Sequence, residues 1–206
     1  MMSKVAVSIA PKSPSECRAG MAAVAGRAGF VEVRLDAMER IDPDALRHAP
    51  LPVIATCRPM REGGRFGGPE RERLDILRCA SQWAAYVDIE WDTADRFESA
   101  RARTLVSRHW FDHMPDLHQE YRRLRRRGDA VKLAAPARTA EDAAHVLDVL
   151  AAATSPLIAI GMGDAGRHAR LAALALPHCL ATYVALKRGQ ETAPGQPSLD
   201  DVLELS

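Results

Sequence analysis

The sequence has little cysteine and no long apolar run. Four of its 206 residues are cysteines, and no two of them form a CxxC pair; they are Cys17, Cys57, Cys79 and Cys179. This scattered spacing predicts neither a zinc site nor a disulfide framework, and reduced thiols are typical of a cytoplasmic protein. No apolar run approaches the roughly 20 residues of a membrane span, so we do not expect a membrane protein. We interpret the short alternating apolar stretch at the amino terminus as a first strand, not as a signal peptide.

Neither sign of charge is in excess. The chain has 28 lysines and arginines against 27 aspartates and glutamates, which gives a formal net charge of +1. This balance provides no overall attraction to nucleic acid or anionic lipid, and we expect neither as a partner. The basic run at 121–127, YRRLRRR, is either a nucleic-acid patch or a solvated helix face, and the neutral remainder of the chain favours the second. Apolar residues make up 47% of the chain, which is enough for a buried core.

Lysine is scarce, which makes each lysine informative. All other basic residues are arginines, and the lysines are Lys4, Lys12, Lys132 and Lys187. Lys132 lies inside the apolar segment AVKLAAP, where the simplest alternative is a strand lysine that extends its side chain to solvent. An amine can form an imine with a carbonyl group, and a guanidinium cannot replace it in that reaction. We therefore interpret Lys132 as a nucleophile that forms a Schiff base.

Short runs rich in valine and isoleucine recur along the chain, as expected for buried strands. Eight of them cover residues 4–10, 30–36, 51–58, 86–91, 104–109, 130–135, 156–162 and 178–184. Helical patterns lie between them at 13–28, 69–83, 115–127 and 139–152, with a last one at 198–205 and a weaker one at 93–102.

This alternation predicts an α/β protein with a parallel sheet and right-handed crossovers. Eight units favour a closed barrel over an open sheet, and no GxGxxG motif follows the first strand, which removes the main support for a dinucleotide-binding fold. We predict a single (β/α)8 TIM barrel that forms one catalytic domain over residues 1–206. Because this fold typically needs about 250 residues, we expect a compact barrel with shortened helices.

Polar side chains recur where the predicted strands end. In a (β/α)8 barrel the chemistry takes place at the carboxyl ends of the strands. Seven of the eight predicted strands carry polar groups there, whereas a purely structural interior would show valine, isoleucine, leucine and alanine. The polar residues are Glu32, Arg34, Arg58, Glu62, Asp88, Glu90, His109, Lys132, Arg170, Thr192 and Gln196. We expect their side chains to meet at one mouth of the barrel.

Acid–base chemistry and anion binding are both expected from this set. His109 ends the fifth strand, and an imidazole titrates near neutrality, so it suits a general acid and base; a hydrogen-bonded core histidine is the alternative. Glu62 either orients and polarises His109 or is a solvated loop carboxylate. The arginines predict an anionic substrate, because a guanidinium binds a carboxylate with two parallel hydrogen bonds. An internal network of ion pairs is compatible with the same arginines.

In chain order, these residues resemble the pattern of the type I 3-dehydroquinate dehydratases. The similar segments reach from about Val5 to Gln196 and are VEVRLD, CRPMREGG, YVDIE, SRH, AVKLA, GMGDAGRHAR and APGQ. Each segment alone is weak, but seven in order at strand-like spacing are specific. The chain departs from the family at Trp110, where aspartate is common, at Ala169, where serine precedes the carboxylate-binding arginine, and at Thr192, where serine is common.

The resemblance implies a hydro-lyase of the shikimate pathway. Lys132 would form a Schiff base with the C3 ketone of 3-dehydroquinate, and His109, paired with Glu62, would remove the C2 proton and protonate the leaving hydroxyl. The residues expected to bind the substrate are Glu32, Arg34, Arg58, Arg170, Thr192 and Gln196. The resemblance further implies a small-molecule substrate, no metal or organic cofactor, and a homodimer.

Two other functions remain compatible with the residues alone. The first is another Schiff-base barrel of the class I aldolase type, for which the segment GMGDAG at 161–166 would form a phosphate cradle. The second is a non-catalytic barrel that binds an acidic metabolite. The intact set of Glu62, His109 and Lys132 argues against the second.

Overall fold

A computed structural model describes residues 2–193 and 195–204 and contains one parallel sheet of eight strands. The strands are β1 (Val5–Ile9), β2 (Phe30–Arg34), β3 (Val53–Thr56), β4 (Tyr86–Glu90), β5 (Arg103–His109), β6 (Ala130–Pro136), β7 (Leu157–Met162) and β8 (Thr182–Ala185). Each strand pairs with its sequence neighbour from β1 to β7, and β8 pairs with β1. The predicted (β/α)8 TIM barrel and all eight predicted strands are confirmed.

The barrel is nearly closed at the seam between β7 and β8. The backbone N–H of Leu157 donates to the carbonyl of His178, and the N–H of Leu180 donates to the carbonyl of Leu157, both at 2.9 Å. The first residues of the predicted eighth strand, 178–184, therefore bridge to β7, whereas β8 itself spans Thr182–Ala185. All four residues of β8 pair with β1.

In the part of the chain that the structure describes, six α-helices surround the sheet, and they are short. They are α1 (Pro14–Val24), α2 (Glu70–Ala80), α3 (Leu117–Leu124), α4 (Ala140–Ala151), α5 (Arg167–Ala172) and α6 (Leu199–Leu203). The predicted helices at 13–28, 69–83, 115–127, 139–152 and 198–205 correspond to five of them, although position 205 lies outside the described residues. The weak pattern at 93–102 is only a 3-10 turn at Ala94–Arg96. α5 has only six residues and was not among the predicted helices.

Local signals fix where the longer helices begin. Thr139 caps α4: its hydroxyl accepts from the backbone N–H of Asp142, and the Asp142 carboxylate accepts from the N–H of Thr139. Ser13 caps α1 in a similar way by accepting from the N–H of Glu16, with proline in the first helical position. In the described residues, 3-10 turns stand in place of helices after β2 and β4, which shortens the chain.

Side chains that face into the barrel change character along the strands. A small apolar cluster inside the barrel includes Ala6, Ile54, Tyr86, Leu105, Ala130 and Ile158. Two residues further along five of these strands, on the same face, lie the buried polar residues Ser8, Thr56, Asp88, Ser107 and Lys132. The barrel is therefore apolar towards the amino ends of its strands and polar towards their carboxyl ends.

One buried arginine joins the outer helices to the strand ends. Arg73 of α2 is fully buried and contacts the Glu90 carboxylate at 2.5 Å and the Cys57 carbonyl at 3.1 Å. Glu70, one turn earlier on the helix, contacts the same guanidinium at 2.6 Å. Because an isolated charge is costly in a protein interior, these contacts require α2 to remain docked against β3 and β4.

We expect the substitution Arg73→Met to lower the free energy of unfolding by about 3 kcal/mol, because it removes one counter-ion of the buried Glu90 carboxylate. Arg78→Met, on the same helix, is the matched control, since Arg78 pairs with Asp75 on the exposed surface. The control should change the free energy by less than about 1 kcal/mol. Urea unfolding of both variants measures the difference, and equal effects would contradict the buried ion pair.

Candidate active site

A cavity of about 240 Å³ opens at the carboxyl ends of the strands. All nine residues that the sequence analysis selected for catalysis or substrate binding line this cavity. They are Glu32, Arg34, Arg58, Glu62, His109, Lys132, Arg170, Thr192 and Gln196. The structure thus brings the whole set together, as the meeting of parallel strand ends predicts.

Lys132 points from β6 into the cavity floor and is 5% exposed. Its ammonium group donates to Glu32 Oε1 at 3.2 Å and to Asp88 Oδ2 at 3.0 Å. Its Nζ also lies 4.2 Å from the centre of the Tyr183 ring. The amine is therefore held in one position by groups from three other strands and does not extend to bulk solvent.

Arg58 lies at the end of β3 and is 3% exposed. Its guanidinium contacts Asp88 at 2.5 Å and Glu90 at 2.6 Å, and it donates to the Ser107 hydroxyl at 2.8 Å. Burial alone would raise the pKa of Asp88, but Arg58 and Lys132 outweigh burial and hold that pKa well below its ordinary value. The internal ion-pair network that the sequence allowed is therefore present around Arg58.

Arg34 forms a second, separate ion pair. Its Nε and Nη2 donate to the two carboxylate oxygens of Asp36 at 2.9 and 2.6 Å. The same carboxylate accepts from the backbone N–H groups of Arg58 and Arg65, each at 3.0 Å. Asp36 therefore holds the loop after β3 against the end of β2, and this contact orients Arg34 at the cavity wall.

His109 and Glu62 form a hydrogen-bonded pair on the other side of Arg58. Glu62 Oε2 lies 2.8 Å from His109 Nδ1 and also accepts from the His109 backbone N–H at 3.0 Å. Glu62 sits in a 3-10 turn that continues into Gly64, where an added Cβ would lie 1.9 Å from the Arg58 carbonyl oxygen. The glycine is therefore needed for the turn to place Glu62 against His109.

The electrostatics of this pair suit proton transfer. Burial raises the pKa of the Glu62 carboxyl to about 7, although Arg58 acts in the opposite direction. Burial, followed by the positive charges of Arg58 and Lys132, lowers the pKa of His109 well below its ordinary value. The imidazole is thus neutral at pH 7. When its Nδ1–H donates to the Glu62 carboxylate, Nε2 is the nitrogen that can accept a proton.

The far wall of the cavity comes from α5 and from the loop after β8. Arg170 is 1% exposed and donates from Nε to the Gly161 carbonyl at 3.2 Å. Burial lowers its pKa to about 10, with Arg167 adding to the effect. The Thr192 backbone N–H donates to Gln196 Oε1 at 2.7 Å, so the two predicted residues of this loop are joined to each other.

Two aromatic residues of the cavity were not predicted from the sequence. Tyr183 faces inward from β8, and Phe111 covers the mouth, where its ring stacks on His109 at 6.5 Å with 14° between the planes. Phe111 is 56% exposed. Phe111 could have been predicted from its position two residues after the candidate histidine. Tyr183 could have been predicted from the two-residue period of β8, in which alternate side chains face the same side of the sheet.

The residues on either side of His109 form a stack outside the barrel. The Arg108 guanidinium lies 4.3 Å from the ring centre of Trp91 and 4.7 Å from that of Trp110, and it contacts Glu120 at 2.7 Å. Trp110, one of the three residues at which the chain departs from the family pattern, is therefore a packing residue in this chain. The stack anchors the end of β5 while His109 faces the cavity.

Comparisons with known proteins agree with this architecture. A family model described as Type I 3-dehydroquinase matches residues 5–205. A 3-dehydroquinate dehydratase of Methanopyrus kandleri is 34% identical over 194 residues, which cover 89% of this chain and 88% of that protein. A bifunctional 3-dehydroquinate dehydratase/shikimate dehydrogenase of Arabidopsis thaliana is 32% identical over 195 residues, and the match spans 86% of this chain but only 32% of that longer protein.

A solved structure gives the same answer for the fold. The 3-dehydroquinate dehydratase of Geobacillus kaustophilus HTA426 superposes with a TM-score of 0.86 at 25% identity, over 98% of this chain and 89% of that one.

The fold and the cavity define a (β/α)8-barrel enzyme with a buried lysine at its centre. The chain belongs to the type I 3-dehydroquinase family and is a hydro-lyase. The non-catalytic alternative is thereby set aside. Within the described residues, no helix is both long enough and apolar enough to cross a membrane.

We expect the Glu62 carboxyl to titrate with a midpoint near pH 7, far above the value of about 4.3 for a free glutamate, because burial disfavours its charged form. The carboxyl carbon signal in a ¹³C-glutamate-labelled sample measures this midpoint, and the substitution Glu62→Gln identifies the signal by removing it. A midpoint near 4.3 would contradict the proposed environment of the Glu62–His109 pair.

Proposed function

We propose that this chain dehydrates 3-dehydroquinate to 3-dehydroshikimate through a Schiff base on Lys132, as a step of the shikimate pathway. The observation that carries the proposal is the placement of one buried amine and one imidazole paired with a carboxylate in the same small cavity. The family match supports the substrate and the class of reaction. The contacts of the individual residues support the steps that follow.

The first step joins the Lys132 nitrogen to the C3 carbonyl carbon of the substrate. The ammonium gives up a proton and the neutral amine attacks. The carbonyl oxygen then leaves as water with that proton and one from the nitrogen, and an iminium remains. The iminium carries the same positive charge as the ammonium that contacts Glu32 and Asp88 in the free enzyme. The two carboxylates are therefore already oriented to stabilise the iminium, so little reorganisation is needed when it forms.

The second step is proton removal and loss of water. The iminium withdraws electrons and acidifies the C2 proton, which His109 Nε2 removes to give an enamine. The same imidazolium then donates that proton to the C1 hydroxyl, which leaves as water. Hydrolysis of the imine releases 3-dehydroshikimate and the free lysine, so the net reaction is substrate to product plus one water.

The substrate carboxylate is assigned to Arg170 together with Gln196. A guanidinium binds a carboxylate with two parallel hydrogen bonds, and both residues are buried in the cavity wall. Glu32, Arg34 and Thr192 are assigned to the substrate hydroxyls. Arg58 is assigned an electrostatic role, because three of its contacts are to Asp88, Glu90 and Ser107.

The proposal extends to the whole chain. We assign residues 1–206 to one catalytic domain that acts in the cytoplasm as a homodimer, with a small-molecule substrate and no nucleic-acid partner. The steps above use protein side chains alone and call for no metal or organic cofactor. Size measurement in solution tests the oligomeric state.

We expect borohydride, added to the protein with 3-dehydroquinate, to leave a stable adduct on Lys132, because reduction converts the imine into a permanent amine. Peptide mass analysis locates the adduct. The substitution Lys132→Arg should abolish it, since arginine keeps the positive charge beside Glu32 and Asp88 but forms no imine.

Lys12→Arg is the matched control, because Lys12 is exposed and lies outside the cavity; it should leave the adduct unchanged. If the adduct persists in Lys132→Arg, the proposed nucleophile is wrong. If folded wild-type protein forms neither adduct nor product, the proposed function fails.

We expect His109→Asn to lower kcat by about 10²- to 10⁴-fold, because asparagine cannot accept and return the C2 proton. The borohydride adduct on Lys132 should still form, since imine formation precedes this proton transfer. Absorbance of the conjugated enone product measures kcat. His113→Asn is the control, because His113 is exposed, pairs with the exposed Asp112 and does not line the cavity. Similar losses of kcat in both variants would argue against the assigned role.

A further inference from the structure

The Tyr183 hydroxyl is buried without a hydrogen-bond partner in the described residues. Tyr183 is 3% exposed, and its hydroxyl oxygen is one of two buried side-chain atoms that have no hydrogen-bond partner among the described residues. A buried hydroxyl loses its bonds to water, so one left without a partner is destabilising and rare in native proteins. A phenol that lacks a protein acceptor and lines a ligand cavity has a hydrogen-bond donor available to a bound molecule.

The position of Tyr183 relates it to the reacting amine. It lines the same cavity as Lys132, and the centre of its ring lies 4.2 Å from Nζ. Its other surroundings include the apolar cluster with Ala6, Ile158 and Ile160, whose side chains offer no acceptor. The ring that carries the hydroxyl therefore lies beside the nitrogen that bonds to the substrate in the proposed reaction.

The hydroxyl is a donor throughout the neutral pH range. Burial, followed by the negative charges of Glu32 and Asp88, raises the pKa of Tyr183 well above its ordinary value. The phenol thus keeps its proton at neutral pH. A protonated, preoriented phenol can stabilise an oxygen on which negative charge develops.

We propose that Tyr183 is a catalytic residue of imine formation, whose hydroxyl donates a hydrogen bond to the substrate oxygen on the carbon that bonds to Lys132. As the C–N bond forms, the carbonyl π-electrons move to this oxygen, which takes up the proton lost by the nitrogen. The resulting carbinolamine hydroxyl leaves as water with the proton that the Lys132 ammonium released on becoming neutral. Tyr183 stabilises the oxygen in both stages and in the reverse hydrolysis, and it transfers no net proton. This inference rests on the proposed function.

The substitution Tyr183→Phe removes only the hydroxyl. We expect the rate of imine formation, measured in single turnovers by quenching with borohydride at successive times, to fall about 10- to 100-fold, somewhat less than the loss of a strong oxyanion donor. Exchange of the substrate ketone oxygen with ¹⁸O-labelled water, which passes through the same imine, should slow by a similar factor. The melting temperature should stay equal or rise, because the missing hydroxyl has no protein partner.

Tyr86→Phe is the matched control. Tyr86 is a second inward-facing tyrosine, but it lies in the apolar part of the barrel, where its hydroxyl accepts from Arg103 at 3.3 Å. The control should leave the rates of trapping and oxygen exchange unchanged.

The outcomes separate this inference from the proposed function. Unchanged trapping and exchange rates in Tyr183→Phe would show that the hydroxyl does not act on this oxygen and would overturn the inference, with the function intact. Slower exchange of the C2 proton with unchanged imine formation would overturn it as well. A wild-type protein that forms no adduct would overturn the proposed function itself.

Discussion

Charges buried inside a barrel must be balanced locally, and in this protein the balance takes the form of an alternating chain. It runs across four strands and one helix, through Glu32, Lys132, Asp88, Arg58, Glu90 and Arg73. Each inner member contacts a neighbour of opposite sign on both sides, so none can be removed without leaving an uncompensated charge. The register of β2, β3, β4 and β6, and the docking of α2, are all needed to keep these contacts.

The same chain of charges determines the chemistry of the cavity. It fixes the Lys132 nitrogen between the Glu32 and Asp88 carboxylates, which can stabilise an iminium as well as an ammonium. It also places Arg58 near the Glu62–His109 pair, where its charge helps to keep the imidazole neutral. In the proposed mechanism, the acid–base group and the nucleophile are therefore tuned by one shared set of residues, in which Arg58 and Asp88 also hold neighbouring strands together.

The sequence predicts the fold and the members of the site well, and it predicts their pairing less well. Period-two apolar runs show the strands, and parallel strand ends bring His109 and Lys132 to one mouth of the barrel. Glu62 reaches His109 only through the turn that Gly64 permits. The partners of Arg58 depend on the register between β3 and β4, which no local pattern encodes. The short α5 lacks the repeated apolar spacing of a longer helix. Tyr183 has the pattern of a core strand residue, and only the surrounding cavity reveals its unpaired hydroxyl.

The scarcity of lysine affects how many amines of such a protein could react with a ketone substrate. A ketone reacts reversibly with any accessible amine, so each surface lysine is a competing site where the metabolite would be held without being turned over. Arginine keeps a surface positively charged while offering no such amine. With lysine at only four positions, one of them inside the barrel, a Schiff base formed as proposed would meet few competing amines elsewhere on the chain.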